Sequence, residues 1–152
     1  MTYEKLLNET HSEGLIVKEK YIPGYGGRIY KNRIAIHNEI ETSAEKSCIL
    51  AEELGHHYTT VGNILDQSSV SNRKQELRAR MWAYNKLIGL LGIVKSYEHG
   101  CRSLYDMAEY LEVTEEFLKD ALERYRQKYG MYTVVDNYII YFEPGLGVVK
   151  MN

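Results

Sequence analysis

The chain has 152 residues, the usual size of one domain, and it is 44% hydrophobic and 26% charged with only 2 Pro; that excludes disordered, collagen-like and low-complexity character. Against 21 Asp and Glu, the 19 Lys and Arg leave a net charge of −2, so a whole-chain basic field for nucleic acid is absent, although a local patch stays open. No apolar run approaches the roughly 18–20 residues that span a bilayer.

The polar opening MTYEKLLNETHSEG lacks a charged-then-apolar leader pattern. Two cysteines, Cys48 and Cys101, cannot build a disulfide framework, so a reducing, cytoplasmic setting is expected. Residues 3–12 read as a short helix punctuated by Gly14. Strand character follows in Leu15 to Lys18 and in Gly27 to Ile36, separated by the turn cluster Ile22-Pro23-Gly24-Tyr25-Gly26-Gly27. Within the second patch, Lys31-Asn32 has hairpin spacing, with Asn suited to a left-handed turn position. A small antiparallel sheet is expected.

Thr42 followed by Glu45 is a capping-box pair and predicts a helix start. Ala44, Cys48, Ala51, Leu54 and Tyr58 keep helical spacing until the pattern fades near Val61-Gly62, where a polar stretch, Asn63 to Ser69, begins. A long helix is predicted from about Asn72 to Leu90. Ser103 with Asp106 opens another helix, to about Tyr110. Thr114 caps the last one, which has Glu115 and Glu116 against its dipole and ends at Gly130. The tail alternates through Tyr132 and Val134, then Tyr138, Ile140 and Phe142, with Asp136-Asn137 between: a terminal β-hairpin. The reading is one α+β domain over 1–152, with a core over 1–98 and a helical-pair-and-hairpin subregion over 99–152.

The chemistry is concentrated in CILAEELGHHYTT. Glu52 and His56 stand at i and i+4 and share one helical face, while Glu53 is offset by about 100 degrees. This is the geometry of the H-E-x-x-H zinc helix, in which two ligands grip the metal and the intervening Glu handles a water proton. Here Glu52 takes the place of the first His. A carboxylate can bind zinc, and its charge makes bound water less acidic and favours harder ions. Glu76, early on the next helix, is the candidate third ligand, and the small Ala79 one turn on would let the helices approach. By itself an EExxH string reads as a solvated helix face. Two details favour a site: the apolar surroundings of Leu50, Ala51 and Leu54 would leave carboxylates in want of a cation, and mid-helix Gly55 costs about 1 kcal/mol in propensity, which implies close packing against it.

AEELGHHYTT followed by QELRARMWAY resembles the ImmA/IrrE family of metallopeptidases of phages and mobile elements, which carry H-E-L-G-H on one helix and E-x-x-A on the next. The resemblance covers most of the chain and departs from the family motif at Glu52. It implies a zincin-like helix pair under the small sheet. His56 and Glu76 become metal ligands, Glu52 a substitute ligand and Glu53 the catalytic carboxylate. Zinc is the implied ion, with another divalent cation as the alternative. The implied activity is hydrolysis of a helix-turn-helix repressor. The lost His motivates a second reading, an inactive relative that binds and regulates a repressor or toxin partner.

His57 reads as a packing residue, although Glu53 and His57 also stand at i and i+4, a register that leaves no base between them. His37 and His99 read as surface residues, and Tyr58 as structural. The helices spanning Ser103–Tyr129 resemble a helix-turn-helix. The N-terminal turn of the second helix, which would face bases, is acidic, so a structural or partner-docking role is expected of this pair. No direct nucleic-acid binding and no membrane association are expected of the chain.

Overall fold

The computed structural model describes residues 1–60 and 69–152, with 69–71 by their backbone alone. It is α+β and divides into two compact units, Met1–Ala83 and Tyr84–Asn152.

In the first unit, α1 (Tyr3–Ser12) starts at Thr2, whose hydroxyl accepts from the Lys5 amide at 3.1 Å. Three strands follow: β1 (Ile16–Lys20), β2 (Gly27–Tyr30) and β3 (Arg33–His37). The Lys31-Asn32 hairpin joins β2 and β3 antiparallel, as expected, but its left-handed residue is Lys31 (φ 55). The sheet as a whole is mixed rather than antiparallel. β1 pairs in parallel with the far side of β3, giving the order β1-β3-β2. The turn cluster after β1 carries the chain across the end of β3, so β1 and β2 never become hairpin partners.

α2 (Ser43–Thr59) is capped by the Thr42 hydroxyl, which accepts from the Glu45 amide at 3.2 Å. α2 packs against α1, β2 and β3. Their shared core is Leu6, Ile34, Ile36, Leu50, Ala51 and Leu54, all buried. Removing that apolar surface from water is the main force holding sheet to helix. The expected fading near Val61-Gly62 and the polar stretch from Asn63 lie outside the described residues. Ser69 opens the next helix, α3 (Ser69–Leu87).

The helix predicted to run to Leu90 stops at Leu87, because Gly89 adopts φ 64 and opens a separate helix, α4 (Gly89–His99). The sequence reading missed α4: its Gly89 and Gly92 look like punctuation, yet only Gly89 is left-handed. α4 packs on α5 (Leu104–Leu111) and on the C-terminal strands, within the second unit. α5 and α6 (Glu115–Tyr129) are capped by Ser103 and Thr114, as the sequence predicts. β4 (Tyr132–Val135) and β5 (Tyr138–Tyr141) form the predicted hairpin, and β6 (Gly147–Lys150) extends it to a three-stranded antiparallel sheet. Ile140 on β5 and Leu118, Ala121 and Tyr125 on α6 are fully buried. Cys101 lies just beyond α4, and neither cysteine is in a disulfide. Among the described residues no helix is long and apolar enough to cross a membrane.

Arg126 on α6 ties down the segment after β5. Its guanidinium donates to Glu123 at 2.6 Å and to Glu143 at 2.8 Å. Hydrogen bonds from Arg126 and Gln127 hold the Glu123 carboxyl down from 4.5 to about 2. A carboxyl depressed in the fold stabilises it above the unfolded-state value and loses that contribution as pH falls through the folded value. Thermal melts should therefore show stability falling between about pH 4.5 and about pH 2, and Glu123→Gln should flatten that part of the profile. The effect should be small because Glu123 is exposed.

Candidate metal centre

The site is built where α2 meets α3. Gly55 on α2 has no side chain, and a Cβ added there would stand 3.0 Å from the Ala79 Cα and closer still to the Ala79 carbonyl. Ala79 is itself fully buried. Two backbones thus touch at a level where neither residue carries bulk, as the Gly55 and Ala79 positions suggested. One step along α2 is His56, and one turn before Ala79 on α3 is Glu76. Across the gap His56 Nε2 stands 3.5 Å from Glu76 Oε1. Both side chains are partly solvent-exposed, and an exposed pair of this kind contributes little to stability.

Glu53 lies one position around α2 and is half-buried. Burial is the largest cause pushing its carboxyl up from 4.5 to about 7, followed by the negative charges of Glu52 and Glu76. β2 closes over it: a Cβ on Gly27 would come within 3.2 Å of Glu53 Cγ and 3.3 Å of its Oε1. Among the described residues β2 is an edge strand, with no strand paired to its outer side.

Beside the pair lies a cleft of about 460 Å³. Ile29, Tyr30 and Lys31 form one wall; His56, His57 and Thr60 from the α2 end and Asn72, Gln75 and Glu76 from α3 form the rest. Sequence reasoning named His56 and Glu76 but missed the strand wall, for which the alternation in β2 was the available signal. His57 is exposed and meets the Tyr58 ring edge-on at 4.8 Å, while Tyr58 stacks on Trp82 at 5.2 Å, a second clasp between α2 and α3. His37, at the end of β3, accepts from the Glu39 amide, and His99 ends α4 against Tyr110.

The structure brings together His56 and Glu76 from the expected set and sets Glu53 among the carboxylates. Among the described residues no three His, Cys, Asp or Glu side chains are grouped to hold a metal ion. The charge of Glu52 acts on Glu53. The donor chemistry nevertheless fits a divalent cation. An imidazole and a carboxylate converge from two helices, and a second, half-buried carboxyl is pushed toward protonation by burial and then by its negative neighbours.

Residues 8–123 match the family of IrrE N-terminal-like domains, Peptidase M78. That is more than half of the chain, and the chain belongs to this metallopeptidase family. No curated protein and no solved structure matches it.

The helix contact gives a stability test. Gly55→Ala gains about 1 kcal/mol of helix propensity. It also drives a methyl group into backbone that cannot rotate away, and overpacking typically costs 1–3 kcal/mol. Urea titration should show net destabilisation of roughly 1 kcal/mol or more, where a solvated mid-helix glycine would give stabilisation.

Proposed function

We propose that this chain is a metal-dependent peptidase of the phage or mobile-element type, working in the cytoplasm, with a helix-turn-helix repressor as substrate. The observation that carries the reading is the 3.5 Å approach of His56 and Glu76 across the Gly55–Ala79 contact, with Glu53 half-buried alongside. Family membership supports a metal cofactor, and zinc is the ion this set of donors suits.

His56 and Glu76 would hold the ion, with Glu52, standing where the family carries its first His, as the remaining protein ligand. When bound, the ion supplies polarisation of the scissile carbonyl and a more acidic water. Glu53 takes the proton of the attacking water and delivers it to the leaving amine. Its partly desolvated carboxyl suits both halves of that task, because a base that is too weak cannot accept the proton and one that is too strong cannot release it. The free edge of β2 offers backbone hydrogen bonds to an extended peptide, and Gly27 leaves room for that peptide to pass close to Glu53. A neighbouring side chain would enter the cleft walled by Ile29, Tyr30 and Lys31.

Purified protein dialysed against zinc should retain the metal, whereas His56→Ala and Glu76→Ala should lose it, as read by elemental analysis. Glu53→Gln should keep the metal and lower the rate of repressor cleavage by about 10²–10⁴-fold. Cleavage by Glu53→Gln at the wild-type rate would remove Glu53 from the mechanism. A wild-type chain that takes up no zinc would favour the inactive, repressor-binding relative.

A further inference from the structure

The outer face of the N-terminal sheet carries the cations Lys18, Lys20, Arg28 and Arg33, none of which lines the cleft at the candidate metal centre. Ile34 and Ile36 point inward and are buried, so Arg33, Ala35 and His37 point outward. The register then fixes their neighbours. Lys18 and Arg28 flank Ala35 from the two sides, Lys20 stands beside His37, and Tyr30 stands beside Arg33. Glu19 is the one acid within the three strands; it shares the inward side with Ile36 and pairs with Lys46 at 2.6 Å. Among the described residues Lys18, Lys20, Arg28 and Arg33 have no carboxylate partner, and neither has Lys31 at the hairpin tip.

Exposed aromatic rings are set among these cations. Tyr30 is 71% exposed and Tyr25 57%. The Lys31 ammonium lies 5.5 Å from the Tyr30 ring centroid, and the Arg28 guanidinium 5.4 Å from that of Tyr25. Tyr21, also exposed, holds an edge-on contact with His37 at 5.3 Å. Unpaired cations around accessible rings match a ligand that presents regularly spaced negative charge together with flat π surfaces. An acidic peptide would use the charge and leave the rings idle.

We propose that this sheet face binds single-stranded nucleic acid without sequence preference, its phosphates on Lys18, Arg28 and Arg33 and a base stacked on Tyr30. This runs against the expectation that the chain binds no nucleic acid directly, which rested on the overall charge and the acidic turn of α6. What gathers the cations is the β1-β3-β2 strand order.

The test is fluorescence anisotropy of labelled oligo-dT and oligo-U of about 16 nucleotides, a length within single-strand site sizes, with the full-length protein. Binding is expected at about 50 mM salt and should weaken toward about 200 mM with a log–log slope of about −0.7 per phosphate contacted. The Lys18→Ala, Arg28→Ala double variant should reduce that slope by about 1.4 and weaken binding at least tenfold. Tyr30→Ala should weaken it roughly fivefold or more, while Tyr30→Phe, which keeps the ring, should bind like wild type. No binding at low salt would overturn the proposal, as would a double variant that binds unchanged. So would polyglutamate displacing the oligonucleotide at equal charge concentration while Tyr30→Ala binds normally, which would make the face a dock for acidic protein. Neither Lys18 nor Arg28 lines the cleft at His56, so the double variant separates this outcome from the peptidase assay, whereas Tyr30 borders both surfaces.

Discussion

The site depends on one contact, the meeting of the α2 and α3 backbones at Gly55 and Ala79. Helices ordinarily pack 8–10 Å apart, at a separation set by the side chains between them. Where those side chains shrink to a hydrogen and a methyl group, the axes close in, and short polar groups on adjoining positions come within reach of each other. His56 and Glu76 meet for that reason and not because their own attraction is large. The Tyr58–Trp82 stack works in the same direction, joining the helices with a large flat contact.

The same closeness creates an electrostatic problem, and the problem points to function. Three glutamates act on one another where α2, α3 and β2 converge, and Glu53 is the one that burial and its neighbours push toward protonation. A chain selected for stability alone would gain by replacing one of them with a neutral residue, since partly buried like charges cost more than the fold recovers from them. Their retention has a physical reason if the place is meant for a cation and for a proton that must come and go. Gly27 fits that account: a larger residue would push the edge strand off α2, and glycine lets the backbone ride directly above the carboxyl.

Much of this was legible in the sequence, for identifiable reasons. Helix caps are local chemistry, so Thr42, Ser103 and Thr114 announce their helices wherever they fold. The i, i+4 relation of Glu52 to His56 is likewise local, and the propensity cost of Gly55 signalled that something lay against it. Glu76 was a candidate from its place early on the next helix, with Ala79 one turn on, and the family motif strengthened it; spacing alone does not say which faces of two helices meet. Alternation could mark β2 as a strand but not place it here, since Tyr30 and Lys31 reach the cleft through the tertiary position of β2. α4 was hidden by its own glycines: a left-handed Gly89 ends one helix and begins the next, and a sequence pattern reads both events as a single end.

Strand order is the hardest property to read, and it decides what the outer sheet face can do. Alternation says that Lys18 and Lys20 share one side of β1 and that Arg28 and Tyr30 share one side of β2. Had β1 and β2 paired as a hairpin, β1 would lie at the far edge from β3, and Lys18 would have no place beside Ala35. The observed order puts β3 in the middle, and its small Ala35 becomes a shallow point flanked by a cation on either side. Opposite-sign neighbours across strands stabilise a sheet, and like charges so close weaken it. The arrangement therefore works against the sheet's own stability, partly offset by the rings that Arg28 and Lys31 lie over. A net charge of −2 conceals this separation, because the acids that balance the sum lie elsewhere in the chain. A polyanion laid across the face would turn that local repulsion into binding energy, with the counterions it displaces adding to the gain.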